Sequence, residues 1–161
     1  MDLLLNVAGV MAGSSKDGLK TTSLDVLEKT FAVNTFGPLL LTQALLPNLL
    51  ASKSAKICIV SSRVGSIADN SSGGNYAYRA SKAAVNSVGR SLAMDLKDKN
   101  VPVLLLHPGI VISNLQPDVK LPPEAVMPDE AASKLWENVV KAKGMESTGT
   151  FWHREGFELE W

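Results

Sequence analysis

Three short, almost uninterrupted apolar runs separated by stretches of helical spacing restrict this chain to a narrow set of folds. They are Asp2–Asn6, Lys56–Ser61 and Val101–Leu106, and a fourth β-like run follows at Thr150–His153. A strand with one face in water alternates apolar and polar residues, whereas a strand covered on both faces is apolar throughout. Strands of the second kind alternating with helices predict an α/β fold, a parallel sheet covered by helices. At 161 residues there is room for one such unit, so residues 1–161 are read as a single domain.

The helices are placed by their periodicity and their ends. Thr22-Ser23-Leu24-Asp25 resembles a capping box, and Leu24, Leu27, Phe31 and Phe36 recur at roughly helical spacing behind it. Gly37-Pro38 is expected to bend or interrupt this helix before Leu39–Leu50, because proline lacks a backbone donor and crowds the preceding turn. A second helix is expected over Ala77–Lys97 and a third over Asp129–Lys143, with Gly144 as its stop. Pro117, Pro122, Pro123 and Pro128 mark an irregular segment before the last helix, and Leu115–Met127 is expected to line a substrate pocket.

Composition removes several classes of function. Lys plus Arg and Asp plus Glu both number 16, giving zero formal charge, so no field draws the chain to nucleic acid or to anionic lipid. Neither Met1–Leu5, which has Asp2 where a leader would be basic, nor the interrupted Leu39–Leu50 reads as a membrane segment. Cys58 is the sole cysteine and lies within an apolar strand, where a buried, inert thiol is expected. His107 and His153 have no companions at ligand spacing, so no metal is expected. The expected setting is the reducing cytoplasm.

The chemistry-bearing segment is Ser61-Ser62-Arg63-Val64-Gly65 followed by Tyr78-Arg79-Ala80-Ser81-Lys82. Tyr78 and Lys82 are four residues apart on an expected helix, so they share a face. Ser62 leaves the carboxyl end of a strand, which is where open parallel sheets bind ligands. An ammonium beside a phenol favours the phenolate, so Lys82 is expected to lower the Tyr78 pKa and make it a general acid or base. Ser62 can hold a substrate oxygen where charge develops. Tyr76 competes with Tyr78, but its fourth residue on is Ala80, which offers no cation.

Taken together and in order, five segments resemble the short-chain dehydrogenase/reductase family: Asn6-Val7-Ala8-Gly9, Asn34 within Phe31–Pro38, Ser62, Tyr78 with Lys82, and His107-Pro108-Gly109-Ile110-Val111. The loop Asp69–Asn75 and the ending Phe151–Gly156 are most similar to the Sniffer-like carbonyl reductases of that family. The resemblance implies a Rossmann-like, doubly wound parallel sheet and an NAD(P)-dependent reaction between a small carbonyl compound and an alcohol. It implies a tetrad in which Tyr78 moves the proton, Ser62 orients the substrate oxygen, Lys82 binds the nicotinamide ribose and Asn34 holds a relay water. Asn34 reads equally as an amide satisfying the backbone at a helix irregularity, and the two roles are compatible. The same resemblance places Asn6, Ala8, Gly9, Tyr78, Lys82, Pro108, Gly109, Val111 and Ser113 against the cofactor. Val7 departs from the family's usual second Asn, and Ser113 stands where Thr is usual.

The family's glycine-rich pyrophosphate turn has no counterpart before Asp2. The expectation is therefore of an amino-terminally truncated domain lacking roughly 70–90 residues, judged from the size of a dinucleotide-binding half. The choice between NAD and NADP is left open with it. A second reading follows: a catalytically silent remnant acting through dimer-type contacts, with a second copy or a full-length paralogue as partner.

Overall fold

The computed structural model describes residues 1–115 and 121–161; Pro117 and the 116–120 part of the expected pocket lining lie outside the described residues. Four strands form one parallel sheet in the order β1 (Leu3–Asn6), β2 (Lys56–Val60), β3 (Val103–His107) and β4 (Phe151–His153). All four expected strands are present, each within two residues of its expected ends. The register aligns Leu4 with Ile57 and Ile57 with Val103, so apolar side chains stack in rows across the sheet.

Because side chains alternate along a strand, each run supplies two faces. Ile57, Ile59, Val103 and Leu105 join Leu49 and Val85 on one face, under α2 (Gly37–Leu50) and α3 (Tyr76–Asp95). Cys58, Leu104 and Leu106 join Leu135 and Val139 on the other, under α4 (Pro128–Leu135) and the wide turn that continues it over Trp136–Val140. Helices on both faces make this the doubly wound α/β arrangement. The step from β3 to β4 advances across the sheet in the same direction as the two before it, but on the opposite face. It therefore winds with the opposite hand, through the long segment that begins at Pro108.

α1 (Leu24–Phe31) starts where the capping box places it, with Ser23 Oγ accepting the Val26 N–H at 3.4 Å. The expected interruption at Gly37-Pro38 does not occur. The chain instead passes through a π-helical turn over Ala32–Phe36, in which the Gly37 N–H reaches back to the Ala32 carbonyl, and continues directly into α2. Pro38 sits in the first turn of α2, where its missing donor costs nothing. The wider turn carries the irregularity, and it holds Asn34 and Thr35, both buried. Such turns are frequent where a helix must present side chains to a site.

Candidate active site

The site gathers at the carboxyl ends of β1, β2 and β3, against the first turns of α3. After β2 the chain turns at Ser62 into a 3₁₀ turn, Arg63–Gly65, that lies directly on α3. Gly65 is required there: a Cβ would stand 2.7 Å from both the carbonyl carbon and the Cβ of Lys82. This close approach brings Ser62 to Tyr78. Tyr78 is buried with Ser62 beside its phenol, and the Val64 N–H donates to Ser62 Oγ at 3.4 Å. Tyr76 is 44% exposed, two residues away on another side of the helix.

Lys82 is almost fully buried, with its ammonium 5.9 Å from the centre of the Tyr78 ring and donating to the Val60 carbonyl at 2.9 Å. One N–H of three is thereby used on the protein. Desolvation pushes the Lys82 pKa down to about 8. Burial likewise raises the Tyr78 phenol above its ordinary range, with Ser62 offsetting part of the rise. This reverses the expectation that Lys82 pulls the phenol toward phenolate. Loss of water around the ring dominates, and the ammonium is directed at Val60 rather than at the phenolic oxygen.

Asn34 comes to the same place from the π-helical turn. Its Oδ1 accepts the Val10 N–H at 2.8 Å, and its Nδ2 donates to the Val10 carbonyl and to Ser81 Oγ, both at 3.0 Å. The amide thus ties the segment after β1 to α3, the backbone-satisfying role foreseen for it. Gly9 lies between these groups, its missing Cβ position 3.5 Å from Lys82 Nζ and 3.6 Å from Asn34 Oδ1. Asn6 is buried at the end of β1 with Nδ2 lacking a partner among the described residues, and Ala8 is exposed beside it.

The loop after β3 reaches the site through His107, whose Nδ1 accepts the Arg63 N–H at 3.4 Å, one residue from Ser62. Burial pushes the His107 pKa down to about 3, so it is a neutral acceptor there. Pro108 and Gly109 follow half-buried, and Val111 bridges to Val126. Ser113 is exposed, with its Oγ accepting the Leu115 N–H at 3.3 Å, and it is not brought against Tyr78 or Lys82.

Two residues that the sequence did not flag organise this site. Asp17, buried in the loop before α1, accepts from the Ala77 N–H at 2.8 Å and from the Tyr78 N–H at 3.1 Å. It caps α3 from 60 residues away, while the local N-cap position, Asn75, makes no side-chain cap. Arg154 lies under the loop after β3, donating to the Pro108 carbonyl at 2.7 Å. Neither has a local signal, because each partner lies far off in sequence. Among the described residues no cluster of His, Cys, Asp or Glu could hold a metal, and no helix is long and apolar enough to cross a membrane. Cys58 is buried and its thiol is pushed up to about 12.

A parallel sheet that brings a serine from the end of β2 against a buried tyrosine and a buried lysine on α3 belongs with the oxidoreductase class of proteins. The chain belongs to the short chain dehydrogenase family, whose profile matches residues 1–122. The 1-hydroxy-2-glutathionyl-2-methyl-3-butene dehydrogenase of Rhodococcus sp. (strain AD45) is 40% identical over 161 residues, all of this chain and 69% of the relative. The C-signal of Myxococcus xanthus is 38% identical over 166 aligned residues, all of this chain and 93% of that protein. Among solved structures, carbonyl reductase Sniffer of D. melanogaster superposes with a TM-score of 0.90 at 29% identity. The match covers all of this chain and 66% of the Sniffer chain.

Proposed function

We propose that this chain carries the proton-transfer and nicotinamide-binding residues of an NAD(P)-dependent oxidoreductase that interconverts a small carbonyl compound and an alcohol. The observation that carries the reading is the buried Tyr78 phenol beside Ser62, one helical turn from the buried Lys82 ammonium. A phenol kept protonated by burial suits a general acid, so Tyr78 gives its proton to the carbonyl oxygen in the reducing direction. Ser62 donates a hydrogen bond to the same oxygen and fixes its place as charge grows on it. Once Tyr78 has lost its proton, the Lys82 ammonium, 5.9 Å from the ring centre, steadies the phenolate. Asn34, with its amide bound to Val10 and Ser81, keeps the β1 end and α3 in register and positions a relay water beside Lys82.

The residues present fit a nicotinamide nucleotide. Among the described residues Asn6 Nδ2 is a buried donor without a partner and Lys82 retains two N–H groups, and Gly9 leaves open the space between Lys82 and Asn34. Asn6, Ala8, Gly9, Tyr78 and Lys82 would hold the ribose side, and Pro108, Gly109, Val111 and Ser113 the nicotinamide side. Bound NAD(P)H supplies the hydride, which no side chain can. The setting proposed is the cytoplasm.

The test is turnover of a carbonyl panel with NADH and with NADPH, comparing wild type with Tyr78→Phe. Loss of about 10²–10⁴-fold in kcat is expected for removal of a general acid, with the melting transition retained. Unchanged turnover in Tyr78→Phe would remove Tyr78 from the mechanism.

One observation favours a second reading, in which the chain acts through protein contacts. The C-signal relative, named as a signal, matches this chain over 93% of its length. Phe36 at the end of the π-helical turn, Leu40 and Leu41 on α2, and Met94 on α3 are exposed apolar residues, available to a second copy or a full-length paralogue. Tyr78→Phe separates the two readings, since it leaves such contacts intact.

A further inference from the structure

Resting on the oxidoreductase reading above, we propose that Arg154 is a positioning residue that closes the base of the segment between β3 and α4. In doing so it holds the Pro108–Val111 limb in the arrangement that receives nicotinamide and substrate.

Arg154 follows β4 directly, and its own N–H donates to the His107 carbonyl at 3.0 Å, continuing the pairing with β3. Its side chain is only 9% exposed. From there Nη1 donates to the carbonyls of Pro108 at 2.7 Å and Ile110 at 3.4 Å, and Nη2 reaches the Glu124 carbonyl at 3.5 Å. One guanidinium therefore engages both limbs of the segment, Pro108–Ile110 on the way out and Glu124 on the way back. Among the described residues the limbs are also joined by two backbone bonds, Ile112 N–H to the Val126 carbonyl at 2.9 Å and Val126 N–H to the Ile110 carbonyl at 3.1 Å.

The shape of the site selects this residue type. Carbonyls drawn together at a chain reversal need donors in fixed directions, and a planar fork provides them where an ammonium offers a single point charge. Gly109 is the complementary half of the device. Its φ of +74° suits glycine, and a Cβ there would collide with the guanidinium. Glu155, 3.2 Å from Arg154 Nε, is shared with Lys134 at 2.9 Å and stays largely in solvent. The functional weight therefore falls on the carbonyl contacts and not on this exposed pair.

The experiment measures amide hydrogen exchange at Ile112 and Val126 in wild type, Arg154→Lys and Gly109→Ala, together with KM and kcat for NADPH and a carbonyl substrate. Arg154→Lys is expected to speed exchange at both amides roughly tenfold or more, the loss of one charge-assisted hydrogen bond, while Ile57 and Leu105 stay protected. Gly109→Ala, which displaces the guanidinium with Arg154 still present, gives the same pattern and covers the case in which Arg154→Lys does not fold. In both variants KM rises about tenfold and kcat changes little, the signature of lost positioning rather than lost proton transfer. Lys134→Ala leaves all of these values unchanged. Unaltered exchange in both folded variants overturns the clamp, and loosened amides with unaltered KM overturn its bearing on the site. If wild type shows no nucleotide-dependent turnover, the oxidoreductase reading falls, and the exchange measurement still decides the clamp.

Discussion

Lys82 costs this protein stability at neutral pH. Its pKa is depressed to about 8 in the folded state against about 10.4 when exposed, so the unfolded chain binds the proton more tightly between these values. Stability then rises as pH climbs through 8 and falls as pH drops below it, where an ammonium must be carried in the interior. Between pH 7 and pH 9 the gain is about 1 kcal/mol at 1.36 kcal/mol per unit of differential titration. Cys58, whose thiol is pushed up to about 12 from an ordinary value near the top of this window, offsets part of the gain as pH 9 is approached, and Tyr78 acts in the same opposing sense only above the window. Chemical denaturation of wild type across pH 7–9 should show this rise, and Lys82→Met should show none, with a slight fall toward pH 9 from Cys58. A parallel rise in both proteins would mean that Lys82 is not its source. The pair itself was legible in the sequence, because a spacing of four residues dictates a shared face. The direction of the Tyr78 shift was not, since it depends on how completely the ring is desolvated and on Lys82 turning toward Val60.

At the scale of elements, the position of α3 sets the position of Tyr78. The Asp17 carboxylate accepts from the Ala77 and Tyr78 N–H groups in the first turn of α3, and accepts a third hydrogen bond from Thr22 Oγ1 at 3.0 Å. Charge-assisted bonds to orphan helix donors are among the strong ones. Asp17→Ala is therefore expected to destabilise by about 2–3 kcal/mol, and Asp17→Asn, which keeps one acceptor, by about half of that. Urea titration reads both, and equal midpoints for wild type and Asp17→Ala would refute the cap. On the opposite side of α3, Gly65→Ala forces the Ser62 turn off the helix backbone, at about 1–3 kcal/mol for overpacking, with a drop in turnover larger than in stability. The strands and the Ser23 start of α1 could be read in advance from local pattern. The cap of α3 could not, because its donor groups and its carboxylate are joined only by the fold. For the same reason a Gly-Pro pair that signals interruption in isolation is absorbed here by the π-helical turn around Asn34.

The whole molecule presents an imbalance between its two sheet edges. β4 is short, and the chain beyond it folds back, with the Leu159 N–H donating to the Phe151 carbonyl at 2.7 Å. β1 pairs with β2 on one side and, among the described residues, with no strand on the other. Leu5 in that strand is 44% exposed, and Val7 beyond it 59%. An apolar edge of this kind is a template for another strand, whether from a second copy or from any segment able to run alongside it. The α/β class could be foreseen from four apolar runs, whereas the pairing of those runs in sequential order is set by the tertiary arrangement. Self-association that grows with concentration is the expected consequence, and light scattering across a dilution series measures it. Leu5→Lys places a charge on the edge while removing little buried surface. It should raise the concentration at which association begins by several-fold and change the melting temperature by no more than surface substitutions do, about ±0.5 kcal/mol in stability. If Leu5→Lys and wild type associate alike, association runs through the exposed residues of α2 and α3 instead, and Leu40→Lys should then suppress it.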